Sequence, residues 1–83
     1  MADYILLKPA QKYLERLRLE DRVRIIRALD GLVTGMEGLD LKQLKGRSES
    51  RLRVGKYRIL FVEDEINQLY VVTTIGVRGD VYK

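Results

Sequence analysis

The 83-residue sequence predicts a small α+β fold: an N-terminal strand and a two-helix hairpin packed on a mainly antiparallel sheet that a C-terminal three-stranded meander completes. Three observations predict it. Apolar residues recur with a helical period between Pro9 and Gly35, the period becomes strand-like from Arg51 onward, and glycine or proline stands at the boundaries.

The first element is "YILLK" at Tyr4–Lys8, a short apolar run stopped by Pro9. It reads as a strand whose following proline sits in the opening turn of a helix, where the missing N–H is harmless. In the helical segment, Ala10, Tyr13, Leu14 and Leu17 share one face, and Val23, Ile26, Leu29, Leu32 and Val33 share another. The two stripes are out of phase around Leu19-Glu20-Asp21, which predicts a helical hairpin with a tight connection. Gly35 is a suitable stop for the second helix.

"GMEGLDLKQLKGRSES" has no steady period and reads as a connecting loop into which Leu39, Leu41 and Leu44 pack. "RLRV", "YRILFVE" and "QLYVVTTI" are then runs of strand length, rich in β-branched and aromatic residues, separated by Gly55-Lys56 and by Asp64-Glu65-Ile66-Asn67. The last of them is expected to end at Ile75-Gly76. With no repeat, low-complexity tract or linker, residues 1–83 are expected to form a single domain.

A two-residue loop at Gly55-Lys56 fixes a register: Val54 opposite Tyr57, Arg53 opposite Arg58, Leu52 opposite Ile59 and Arg51 opposite Leu60. One face then carries Leu52, Val54, Tyr57, Ile59 and Phe61 toward the helices, and the other carries Arg51, Arg53, Arg58, Leu60 and Val62. Like charges directly opposite one another are unfavourable by a few tenths to about 1 kcal/mol. The pattern therefore admits two readings, a solvated charged face or an anion site, because clustered guanidinium forks match phosphate oxygens.

Composition narrows the chemistry. There is no cysteine and no histidine, which removes disulfides, thiolate metal sites, the commonest metal ligand and the usual neutral-pH base. No metal or cofactor is expected. Sixteen Lys+Arg oppose 12 Asp+Glu for a net charge of +4. Lys42, Lys45, Arg47, Arg51, Arg53, Lys56 and Arg58 are opposed over their span only by Glu49, which directs the positive field at a polyanion. No run approaches the roughly 18 apolar residues of a membrane span, and "MADYILLKPA" lacks the pattern of a secretory signal. A soluble, cytoplasmic protein without membrane contact is expected.

"LKGRSESRLRVGKYRILFVE" followed by "VVTTIGVRGDVYK" resembles the RelE/ParE toxin superfamily, in which a basic hairpin of this form precedes a closing G-x-R-x-x-V-Y. The resemblance extends over the whole chain and is closer to the RelE branch, ribosome-dependent mRNA endoribonucleases, than to the ParE branch, which poisons DNA gyrase. It implies the toxin of a type II toxin–antitoxin system. Such a toxin cuts mRNA in the ribosomal A site, inhibits translation and is neutralised by a cognate antitoxin in a hetero-oligomeric complex.

The same resemblance implies site residues. Arg51, Arg53 and Arg58 would grip and stabilise the scissile phosphate, Arg78 would assist the transition state or leaving group, and Tyr82 would orient or activate the 2′-OH. Lys42, Lys45 and Arg47 would neutralise ribosomal RNA, and Lys56, at the turn, would bind phosphate or stand in as a base. Some relatives carry lysines at the positions of Arg51 and Arg53 and a histidine at that of Val77. Arginine does not give up its proton, so Tyr82 becomes the candidate base or base-stacking residue. A non-catalytic ParE-like toxin acting on gyrase, a degenerate binding-only member and a plain RNA- or DNA-binding domain are the alternatives.

Overall fold

Pro9 stands in the first turn of a helix, as its fixed φ favours, and a strand ends just before it. The computed structural model describes residues 1–77. In chain order these form β1 (Asp3–Leu6), α1 (Lys8–Glu15), α2 (Leu19–Thr34), β2 (Asp40–Gln43), β3 (Ser50–Val54), β4 (Tyr57–Asp64) and β5 (Leu69–Val77). The expected α+β architecture is present. The break between the helices lies at residues 16–18, just ahead of the expected phase slip, so Glu20 and Asp21 fall in the first turn of α2 and complement its dipole.

The α2 stripe differs from the expected one. Ile25, Leu29 and Leu32 are buried, whereas Val23, Ile26 and Val33 are only partly so. Spacings of four and three keep Ile25, Leu29 and Leu32 on one line of the helix, while Ile26 lies about 100° around from Ile25. On α1, Ala10 and Leu14 are buried and Tyr13 and Leu17 pack beside them, as the sequence implies. Gly35, at φ 77°, closes α2: its own N–H donates to Leu32 O, and the Met36 N–H donates to Gly31 O at 2.8 Å. That pair of bonds is a Schellman motif.

The sheet order is β1-β5-β4-β3-β2, with β1 parallel to β5 and every other pair antiparallel. Two expectations need correction. The segment read as a loop contains β2, paired with β3, so the meander has a fourth antiparallel strand. β5 continues through Val77, which pairs with Tyr57, instead of ending at Ile75-Gly76. All four residues of β2 are exposed, so no burial pattern marks it as a strand. Leu39 packs against the core and Leu44 is half-buried, but Leu41 remains exposed.

The β3–β4 register is the one the sequence predicts: Val54 with Tyr57, Arg53 with Arg58, Leu52 with Ile59 and Arg51 with Leu60. Leu52, Tyr57, Ile59 and Phe61 join Ile25, Leu29, Val72 and Ile75 in the core between sheet and helices. Fully burying such aliphatic and aromatic side chains contributes roughly 1.5–3 kcal/mol each. Leu60 is also completely enclosed, on the opposite face, between Arg51 and Thr74 of the adjacent strands. A bulge at Leu60/Phe61 makes Thr73 the extra residue of β5.

Candidate nucleic-acid interface

The face of the sheet away from the helices is basic at one end because of register alone. Alternation on β3 and β4 sends Arg51, Arg53 and Arg58 outward, and pairing with β2 adds Lys42 opposite Arg51 and Asp40 opposite Arg53. Arg53 and Arg58 follow the Val54–Tyr57 pair that flanks the turn and so form a non-hydrogen-bonded pair, the closer kind, with Cα atoms about 4.5 Å apart. Two cations are thereby held side by side.

Each guanidinium meets this crowding differently. Arg51 Nη2 donates to Asp40 Oδ1 at 2.7 Å, while Arg53 Nε lies 4.0 Å from Asp40 Oδ2. Arg58 Nη1 turns to neutral acceptors, Gly55 O at 3.4 Å and Tyr57 O at 3.3 Å. Asp40 is therefore spent mainly on Arg51, whose side chain is only 15% exposed, and among the described residues no carboxylate forms an ion pair with Arg58.

Those two line an open cleft of about 470 Å³ with Gly55, Lys56 and Val77. Among the described residues its lining holds three cations and no acid. Lys56 Nζ sits 5.5 Å from the centre of the Tyr57 ring, a cation–π contact that holds it by the turn. Positive φ at Gly55 and not at Lys56 gives the type II′ pattern suited to a two-residue hairpin. Chemically, the cleft suits a phosphodiester: fixed donors face one space where negative charge would develop.

The sequence-predicted residues do not all gather here. Arg53, Lys56 and Arg58 do, and Arg51 and Lys42 stand next to them on β3 and β2. Lys45 and Arg47 lie at the other end of β3, beyond Ser50, and Arg47 is paired with Glu49. Glu49 also accepts a bond from Thr73 Oγ1 at 2.6 Å. The Thr73 hydroxyl, aided by Arg47, holds the Glu49 carboxyl below its ordinary pKa despite partial burial. Arg78 and Tyr82 lie outside the described residues.

Tyr57 is not available as a base: it is buried and its hydroxyl donates to Asp21 Oδ2 at 2.8 Å. The bond to Asp21, with burial, raises its pKa above that of a free phenol and fixes it as a donor. Its role is to pin β4 to the first turn of α2, with Tyr13 edge-on to its ring at a centroid distance of 6.4 Å. Among the described residues, no group of three His, Cys, Asp or Glu side chains converges on one point. No described helix is long and apolar enough to cross a membrane.

Sequence reasoning missed two residues. Asp40 was hidden because nothing local announces that β2 pairs with β3. Arg24, on α2, lies against Gly55 from the helix side, with its Nη2 3.0 Å from where a Cβ on Gly55 would stand. The only sequence signal was the glycine itself, which leaves room for that approach.

No family model matches this sequence, and no curated protein matches it. Solved structures do. A chain of the RelB–RelE antitoxin–toxin complex from Methanococcus jannaschii is 23% identical with a TM-score of 0.75, over 94% of this chain and 94% of that one. The archaeal RelE–RelB complex from Pyrococcus horikoshii OT3 gives 22% identity and a TM-score of 0.76, over 96% and 99%. The isolated E. coli RelE toxin gives 15% and 0.77, over 99% and 92%. Over nearly its whole length, the chain has the fold of the RelE toxins.

Proposed function

We propose that this protein is the toxin of a type II toxin–antitoxin system and a ribosome-dependent mRNA endoribonuclease that cuts in the A site and inhibits translation. The observation that carries the reading is the Arg53–Arg58 pair, held across the strands beside a cleft at the Gly55-Lys56 turn that Lys56 also lines, on a RelE fold. Cleavage requires the 2′-OH deprotonated, the phosphorane stabilised and the 5′-oxygen protonated. Arg53 and Arg58 supply the second requirement, as cationic donors preorganised where charge develops. Arg78 and Tyr82 are proposed for the leaving group and the 2′-OH. Arg51 is better suited to orienting Asp40 and Arg53 than to gripping phosphate, since its guanidinium is already tied to a carboxylate.

Two features support an antitoxin partner. The similar solved structures include RelB–RelE complexes, and β2 leaves a short exposed edge beside a cavity of about 170 Å³ whose lining includes Leu32, Leu41, Phe61 and Tyr70. An antitoxin segment would cover this mixed surface, in which Lys42, Gln43, Ser50 and Glu63 accompany the apolar residues, and quench the cations.

The second reading is a binding-only or gyrase-directed toxin. It is favoured by one observation: the described cleft offers Lys56 alone as a side chain able to give up a proton. Primer extension on mRNA held in programmed ribosomes separates the two. Wild type is expected to give discrete A-site cuts that fall by about 100-fold or more in Arg58→Ala, Arg78→Ala and Tyr82→Phe. Intact mRNA from a folded preparation, with loss of gyrase activity, would establish the second reading.

A further inference from the structure

The cleft opens on the outer face of the sheet, and the Gly55-Lys56 turn that borders it has another side, toward α2. Gly55 stands between two guanidinium groups. Arg58 Nη1 contacts its carbonyl at 3.4 Å, and Arg24, from α2, packs against its Cα with Nη2, Cζ and Nη1 at 3.0, 3.5 and 3.5 Å from the Cβ position. Arg24 is exposed on α2, and among the described residues no carboxylate forms an ion pair with it.

Helical spacing offers Arg24 two acids, Glu20 four residues earlier and Asp21 three residues earlier, and neither is in ion-pair range of it in this structure. Asp21 accepts the Tyr57 hydroxyl at 2.8 Å instead. The Asp21–Tyr57 bond clamps the first turn of α2 to the start of β4 and so brings Arg24 over the turn.

Resting on the RNA-directed reading above, we infer that Arg24 is a further phosphodiester-binding residue, which carries the contact with RNA from the Arg53–Arg58 cleft around the Gly55-Lys56 turn onto α2. The ligand chemistry is one backbone phosphate, and two sources present it: the substrate strand and ribosomal RNA. Arg24 touches no reacting atom, so its contribution is to affinity and its dependence on salt.

The test measures binding against salt concentration for wild type, Arg24→Ala and Arg24→Lys, with two probes: a non-cleavable 2′-O-methyl oligoribonucleotide and vacant ribosomes. Losing one phosphate contact is expected to lower the slope of log affinity on log salt by about 0.7 on the single strand, and Arg24→Lys to restore it. A purely structural role would not follow charge in this way. A reduced slope with the oligonucleotide assigns the phosphate to the substrate strand, and one with ribosomes alone assigns it to ribosomal RNA. An unchanged slope with both probes, or no salt-dependent binding by wild type, overturns the inference. Equal denaturation midpoints for Arg24→Ala and wild type exclude loss of fold. Cleavage on programmed ribosomes is scored separately, so an absent nuclease and an absent Arg24 contact give different results.

Discussion

Arg53 works against the fold that displays it. It faces Arg58 across the strands, and its nearest carboxylate oxygen is 4.0 Å away on a residue already bonded to Arg51. Arg53→Thr removes the repulsion and introduces a good strand former, so the variant should be more stable by a few tenths to about 1 kcal/mol while losing cleavage. Urea denaturation beside the ribosome assay checks this, and a variant both less stable and fully active would contradict it. Tyr57 is the opposite case, a residue that serves the fold. Tyr57→Phe forfeits the bond to Asp21 and should cost about 1–2 kcal/mol at neutral pH. Because the folded-state pKa of Tyr57 is raised, its contribution is complete below the ordinary phenol value of about 10 and is lost as pH rises through the higher folded value. The gap between wild type and Tyr57→Phe should therefore narrow in alkali. The Arg53–Arg58 pairing was readable in sequence because strand alternation and a two-residue turn fix it locally. Arg24 and Asp40 were not, since each reaches the site through a contact between elements distant in sequence.

At the scale of elements, the strands with a buried face were legible and the one without was not. β3 and β4 point alternate residues to the core face, with Leu60 enclosed on the other face, so period and register follow together. β2 exposes Asp40, Leu41, Lys42 and Gln43 alike, and backbone pairing with β3 alone defines it. The α2 stripe was misplaced by one residue because Ile25 and Ile26 are equally apolar, and the sheet below decides which is covered. The bulge at Thr73 is another tertiary feature: it lets the Thr73 hydroxyl reach Glu49 on β3's approach, joining β5 to the segment before Ser50. Glu49 has a lowered folded-state pKa, so its contribution is present above the ordinary carboxylate value of about 4.3 and disappears as pH falls through the lower one. Thr73→Val should then reduce stability at pH 7 and lose that deficit in acid. Denaturation midpoints across pH 2–8 check it, and a deficit independent of pH would assign the loss to packing instead.

The whole molecule separates its work by face and by end. Helices and core lie on one side of the sheet, and the cations are held on the other around one turn, with Arg47 neutralised by Glu49 at the far end of β3. A net charge of +4 understates the local field, because Arg53, Lys56 and Arg58 share one cleft whose described lining contains no acid. The sheet also places its earliest strand beside its latest described one: Asp3 pairs with Leu69 and Leu6 with Val72. Parallel pairing over that separation is slow to form, and it needs β5 in place. β5 also supplies Val77 to the wall of the cleft. One strand thus completes both the sheet and the described cleft wall, so a substitution that loosens β5 would release β1 and open the cleft together.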